Sequence, residues 1–411
     1  MDNRDVDRIA AWLAESGLRG ESELTLLNGF CERCRAIGIA VSRAIVIIDT
    51  LHPIYEGRGF RWREDETDEA PLLEFKRDVD GAQTESWQSS PFYHLIEKGG
   101  GELRCKLHAG ETAGFQAIED LRVEGQTDYF AKVHLFAPDA IIGEMDNLAS
   151  RWTTAQPGGF SDAEILALQH LTPILGLAIK SASLARVPVA VVEAYLGRDA
   201  GRRVLAGRMS RGIAETMNAV LWFSDMRGYT TLSETIASDQ LIPLLNDYAE
   251  AVISAVHGAG GNVLKLMGDG TLAIFTDADP AAACLSAMRA EADLRQRLAE
   301  LNKRRAAAGE PVSTIYLGLH IGDVFYGNIG SEDRLDFTVV GQAVNEVSRI
   351  ASMCRSADRN VLFSTAFREA LPSDERGKLV CVGRYALRGV GRAQELFTLD
   401  PELVAVRQDA D

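Results

Sequence analysis

The sequence predicts an α+β protein of two domains. Three observations lead there. The chain of 411 residues is long enough for two domains of ordinary size. Apolar residues make up 46% of it, enough to build a core in each half. The second half alternates apolar strands with amphipathic helices, a pattern that packs helices against a sheet. The expected boundaries are a first domain at 1–185, a helical linker at 186–215, a second domain at 216–399 and a tail at 400–411.

In the first half, Asp7–Leu18 and Glu23–Ile37 space their apolar residues by three and four, as helices do. Ser42–Asp49 is a β-branched run and reads as a strand. Gly59–Arg63 alternates and pairs with it. Trp87–Glu97 reads as one helix and Glu102–Leu107 as a short strand. Tyr129–Phe136 and Ala140–Trp152 form a strand pair around Pro138. Ser161-Asp162-Ala163-Glu164 is a capping box. It opens a helix, Ile165–Leu184, with Pro173 as a place to kink. His52, His94 and His134 read as ordinary, partly buried histidines.

In the connector, Val189–Leu196 and Arg202–Met209 read as helices broken at Gly197. They make either a signalling rod between two parallel protomers or a linker packed on its own domain. In the second half the order is strand (Ala219–Phe223), helices (Thr230–Ser238 and Leu241–His257), hairpin (Val263–Phe275) and helix (Pro280–Lys303). Strands Thr314–Gly322, Phe325–Ile329 and Phe337–Val340 follow, then a helix from Ala343.

Composition narrows the function. A formal charge of −16 argues against a nucleic-acid partner, which calls for a basic stripe facing phosphates. No apolar run in the sequence approaches the roughly 20 residues that span a bilayer. The acidic N-terminus has no signal-peptide core. The expectation is a cytoplasmic protein without a membrane partner. Six cysteines scattered over the chain suit reduced thiols. Cys31 and Cys34 form a C-x-x-C in a helical segment with no second pair to complete a zinc set.

Two stretches carry chemistry. Gly260–Phe275 reads as two strands joined at Gly268-Asp269-Gly270, a hairpin signal. The glycines leave the Asp269 carboxylate open to a ligand. Lys265, four residues earlier, shares its face by strand alternation. The two serve either a metal with an anionic substrate or a surface ion pair. At Leu221–Thr230 another strand runs into Asp225. Two strand-end carboxylates brought side by side repel unless cations neutralise them. A pair of divalent ions about 3.5–4 Å apart does so in two-metal sites.

Together the blocks resemble a family. Phe223-Ser224-Asp225-Met226-Arg227-Gly228-Tyr229-Thr230, Lys265-x-x-Gly268-Asp269-Gly270, Gly318-x-His320-x-Gly322 with Gly327-Asn328-Ile329-Gly330, and Thr338-Val339-Val340-Gly341-Gln342-Ala343-Val344-Asn345-x-x-x-Arg349 look like the catalytic domain of class III nucleotidyl cyclases. Leu387-Arg388-Gly389-Val390 and Glu395-Leu396-Phe397 extend the match. The resemblance implies a ferredoxin-like catalytic domain. The element order of the first half resembles an α/β GAF-type sensory domain, which implies a regulatory role and a small-molecule effector.

The cyclase resemblance also implies roles. Asp225 and Asp269 bind two Mg²⁺ or Mn²⁺ ions per active site. Lys265 and Thr338 read the purine, and a Lys–Thr pair implies ATP rather than GTP. Asn345 orients the ribose, Arg349 steadies the transition state, and Arg388 lies near the terminal phosphates. Phe223, Gly228 and Thr230 belong to the substrate-binding stretch on either side of Asp225; past it, amides at a helix N-terminus cradle phosphates. A head-to-tail homodimer with composite sites follows. One chain gives Asp225 and Asp269; its partner gives Lys265, Thr338, Asn345 and Arg349. The implied activity is adenylate cyclase: ATP to 3′,5′-cyclic AMP and pyrophosphate, regulated by the N-terminal domain. Gln342 and Glu346 depart from the family's usual residues without touching this chemistry. His320, inside the apolar run Ile315–Ile321, reads as a packed strand histidine rather than a base.

Overall fold

The computed structural model describes residues 2–65, 70–77, 82–136, 145–210, 212, 214–388 and 393–400. The chain divides into two compact units, Met1–Val191 and Val192–Asp411. Pro138, Ala140, Gly389 and Val390, and all of the tail beyond Asp400, lie outside the described residues.

The first unit runs α1 (Asn3–Leu18), α2 (Glu23–Ala36), β1 (Arg43–Asp49), β2 (Tyr55–Arg63), β3 (Leu72–Lys76), α3 (Ala82–Gln88), α4 (Pro91–Glu97), β4 (Gly101–Cys105), α5 (Gln116–Val123), β5 (Asp128–Leu135), β6 (Asn147–Thr154) and α6 (Asp162–Leu196). Its sheet has the order β3-β2-β1-β6-β5-β4, antiparallel throughout. The apolar run of β1 is buried on both faces. Val46 and Ile48 join Trp152 and Phe130 under α1, α2 and α6. Ile45 joins Tyr129, Ala131 and Ala149 under α4 and α5.

The capping box forms. The Ser161 N–H donates to Glu164 Oε2 at 2.7 Å, and the Glu164 N–H donates to Ser161 Oγ at 3.3 Å. The helix it opens is longer than the sequence suggests and runs through Pro173 and Pro188 to Leu196. It is long and apolar enough to cross a membrane by length and composition. This corrects the expectation that no segment approaches that length. Much of its apolar content faces the core: Ile165, Leu168, Leu171, Leu175 and Ile179 are all buried. The expected helix Trp87–Glu97 is two helices, because Ser90 caps a new start by accepting the Tyr93 N–H at 3.1 Å. Cys31 and Cys34 are buried core thiols, and burial raises both above the usual thiol range.

The second unit continues with α7 (Arg198–Leu205), β7 (Ala214–Met226), α8 (Tyr229–Thr235), α9 (Ser238–Gly258), β8 (Asn262–Met267), β9 (Gly270–Phe275), α10 (Pro280–Ala307), β10 (Ile315–Gly330), β11 (Leu335–Val340), α11 (Gln342–Ala357), β12 (Val361–Ser364), α12 (Thr365–Ala370), α13 (Ser373–Arg376), β13 (Leu379–Tyr385) and β14 (Gln394–Leu399). The sheet order is β13-β14-β12-β10-β7-β9-β8, with β11 paired to β10. Strand alternation sends Val220 and Trp222 to α9 and α10. It sends Leu221, Val324 and Tyr326 to α11's Val347 and α7's Ala200. Ala200 is 1% exposed, so α7 packs on this unit's own sheet.

The expected strands Thr314–Gly322 and Phe325–Ile329 are one strand. β10 pairs with β7 without interruption from Ile315↔Met226 to Gly327↔Ala214, so Gly322-Asp323 makes no break. Gly318 lets α11 approach closely. A Cβ there would lie 2.7 Å from both Ala351 N and Val347 O.

Candidate active site

The site begins where β7 meets the β8–β9 hairpin. β9 pairs with β7 up to Ser224↔Thr271, which sets the hairpin turn beside the end of β7. Gly268 turns the chain with φ +65°, a conformation that favours glycine. Asp269 then stands within hydrogen-bonding reach of Asp225. The Met226 N–H donates to Asp269 Oδ2 at 3.3 Å. A Cβ at Gly270 would sit tightly, 3.3 Å from Met267 O, and in ordinary contact, 3.7 Å, with Asp225 Oδ1. Burial pushes the Asp225 carboxyl up to about 7, and the neighbouring Asp269 adds to the shift. Asp225 therefore keeps its proton to higher pH than an ordinary aspartate does. A cleft of about 210 Å³ adjoins the pair, lined by Asp269, Gly270, Ile242, Leu245 and Leu266 among others.

Two adjacent half-buried carboxylates, one oriented by a backbone N–H, are hard oxygen donors with an unmet electrostatic need. That chemistry fits Mg²⁺ or Mn²⁺. No group of three or more His, Cys, Asp or Glu side chains with metal-holding geometry occurs among the described residues. The pair would offer such an ion two protein ligands.

Lys265 does not pair with Asp269. Its ammonium forms an ion pair with Asp336 on β11. Asp336 and Thr338 are two apart, so they share a strand face. The structure thus adds Asp336 to the expected Lys265–Thr338 pair. Asn345 and Arg349 lie on α11 one turn apart, on one helix face. Their side chains, and that of Arg388 after β13, form no hydrogen bond or ion pair among the described residues. They are thus not joined to the carboxylate pair of their own chain. Phe223 is half-buried on β7, Gly228 caps α8 with φ +73°, and Thr230 is exposed at the start of that helix.

Residues 213–400 match the family model described as adenylate and guanylate cyclase catalytic domain. This is a class III cyclase catalytic domain. An adenylate cyclase of Anabaena cylindrica is 33% identical over 153 residues, covering 37% of this chain and 30% of that protein. Adenylate cyclase 1 of Rhizobium meliloti is 25% identical over 227 residues, covering 51% of this chain and 33% of that protein. The matches thus span about a third of the length of these relatives. The crystal structure of the adenylyl cyclase CyaB from P. aeruginosa matches at 25% identity and a TM-score of 0.42, covering 46% of this chain and 96% of that one.

Within the cyclase domain, Glu346 turns inward from α11. It pairs with the Gln394 amide and lies 4.0 Å from His320 Nε2. His320 Nδ1 is 2.8 Å from Ser364 Oγ. Burial lowers the His320 pKa, with Glu346 opposing it. His320 is thus a buried strand residue in a network beneath α11. No contact joins it to the carboxylate pair.

Proposed function

We propose that this chain is an adenylate cyclase that converts ATP to 3′,5′-cyclic AMP and pyrophosphate in a homodimer. The observation that carries this reading is the Asp225–Asp269 pair at the junction of β7 and the hairpin. The adenylate cyclase relatives agree with it.

In the reaction the ribose 3′-oxygen bonds to the α-phosphorus while the bond to pyrophosphate breaks. Asp225 and Asp269 would hold two Mg²⁺ or Mn²⁺ ions. Bound there, the ions would ease deprotonation of the 3′-hydroxyl and offset phosphate charge. The rest falls to the chain's own side chains. Lys265, fixed by Asp336, offers its ammonium to the purine edge, and Thr338 offers its hydroxyl. Asn345 orients the ribose. Arg349 presents planar donors to phosphoryl oxygens as charge develops there. Arg388 meets the terminal phosphates. Positioning and electrostatics provide most of the rate in phosphoryl transfer.

The composite arrangement has support within one chain. Among the described residues, the side chains of Arg349, Asn345 and Arg388 have no hydrogen-bond or ion-pair partner that would occupy them. The cyclase domain also exposes apolar side chains on the hairpin and the β10–β11 arm: Leu266 (53%), Met267 (41%), Phe325 (53%) and Val340 (40%). Such patches mark surfaces that another molecule covers. The N-terminal unit, with helices on both faces of an antiparallel sheet, is read as a GAF-like regulatory domain of a cytoplasmic protein.

The test is competition. Purified chain incubated with equal ATP and GTP and Mn²⁺ should release cyclic AMP and little cyclic GMP. Cyclic GMP as the main product would overturn the substrate assignment.

A further inference from the structure

In the N-terminal unit a half-buried arginine lacks any hydrogen bond or ion pair among the described residues, with Glu124 acting on it only at longer range. On the sheet face beneath α4 and α5, one cross-strand row holds Arg61 on β2, Ile45 on β1, Arg151 on β6 and Ala131 on β5. The next row holds Arg63, Arg43, Thr153 and Tyr129. Directly opposed residues share a face, so four arginines stand on two neighbouring rows. Arg43 is paired with Glu124, and Arg63 Nε lies 3.3 Å from Asp65. Arg151 has neither hydrogen bond nor ion pair among the described residues, and its Nε is shut off from solvent with no acceptor. The Thr153 hydroxyl, one row away, is also buried without a partner.

An arginine does not escape burial by losing its proton in the range where proteins work. Here burial lowers its pKa, the Arg61 and Arg43 charges add to the shift, and Tyr129 and Glu124 oppose it. Enclosed charges are normally paired. The buried donors that lack acceptors on this face are the Arg151 Nε and the Thr153 hydroxyl, two residues apart on β6. The surrounding floor is apolar: Ile45, Ala131 and Ala149 belong to the core beneath α4 and α5.

We propose that this face binds a small organic anion, a carboxylate or phosphate on a compact apolar body, held by Arg151 with help from Thr153. A planar guanidinium takes either headgroup by two parallel N–H···O bonds. The apolar floor favours a ligand with a hydrophobic body over a bare inorganic ion. The site lies wholly in the N-terminal unit and does not depend on what the cyclase domain turns over.

The experiment follows thermal melting of the full chain in benzoate, phenyl phosphate, inorganic phosphate and sodium chloride at equal ionic strength. Benzoate or phenyl phosphate should raise the melting temperature saturably by a few degrees, as a ligand bound only to the folded state must. Whichever acts tells the carboxylate source from the phosphate source. Chloride should not act. The rise should survive in Arg349→Ala, which removes a phosphate-binding group of the cyclase domain. Arg151→Met should abolish the rise and melt no lower than wild type without anion. Arg151→Lys keeps the charge but loses the fork, and should need about tenfold more anion. Three results would overturn the proposal: no anion-specific rise in wild type, a full rise in Arg151→Met, or a full rise lost only in Arg349→Ala.

Discussion

The Asp225 carboxylate, at the end of one strand, stands within hydrogen-bonding reach of the Asp269 carboxylate at the tip of a separate hairpin. Sequence places these residues 44 apart; the β7–β9 pairing brings them together. The raised Asp225 pKa fixes a sign. In the folded, metal-free chain the pair keeps a proton up to about 7, whereas an unfolded aspartate loses it near pH ~4. The folded state binds more protons between those values. The pair's contribution to stability is therefore complete below the unfolded value and lost as pH rises through about 7. Asp269→Asn removes the repulsion, so it should gain on wild type in melting temperature over that range. Adding Mn²⁺ should stabilise wild type more than the variant. Parallel pH curves for the two proteins would contradict the pairing.

The Arg349 side chain has no hydrogen-bond or ion-pair partner among the described residues, so removing it should leave the fold intact and strike the transition state. Arginine fingers in phosphoryl transfer are worth roughly a thousandfold or more. Arg349→Ala should lower kcat by about that factor, near 4 kcal/mol, with an unchanged melting temperature. Mixed with Asp269→Ala, it should regain part of the activity, because a heterodimer then holds one intact composite site. Verified heterodimers with no activity would count against sites shared between protomers.

The Lys265–Asp336 ion pair makes a specificity prediction. The pair is partly exposed, so it contributes little to stability. On the proposed reading it aims the ammonium. Asp336→Asn should raise KM for ATP several-fold and leave kcat near wild type. Lys265→Glu with Thr338→Cys should move the kcat/KM ratio toward GTP. A double variant that keeps its ATP preference would show that the purine is read elsewhere.

Gly318 ties packing to catalysis. A methyl group there would press on the backbone of α11 at Val347 and Ala351, within a turn of Arg349. Gly318→Ala should cost about 1–3 kcal/mol in stability, as overpacking does. It should also lower kcat by tenfold or more by displacing α11. A stable, fully active variant would mean that α11 tolerates the shift.

Much of the cyclase domain was legible in the sequence, for local reasons. Gly268-Asp269-Gly270 is a turn signal that no neighbour has to supply, and the strand–Asp–helix pattern at Asp225 is equally local. Asp336 was missed because nothing in its own segment marks it. Only strand alternation from Thr338, joined to the approach of β8, identifies it. Gly322-Asp323 looked like a break, but an unbroken partner strand overrides such a signal. In the first half, Pro173 suggested a kink in a helix that the core of the N-terminal unit holds together as far as Val187. The four-arginine face depended on register across three strands, and spacing within one segment does not reveal register.

One measurement bears most directly on the account. Purified chain is given ATP and Mn²⁺, and cyclic AMP and pyrophosphate are followed over time for wild type, Asp225→Asn and Asp269→Asn. The account predicts steady formation of both products by wild type and a loss of about a thousandfold or more in each folded variant. No cyclic AMP from folded wild-type protein, or an Asp269→Asn variant as active as wild type, would contradict it.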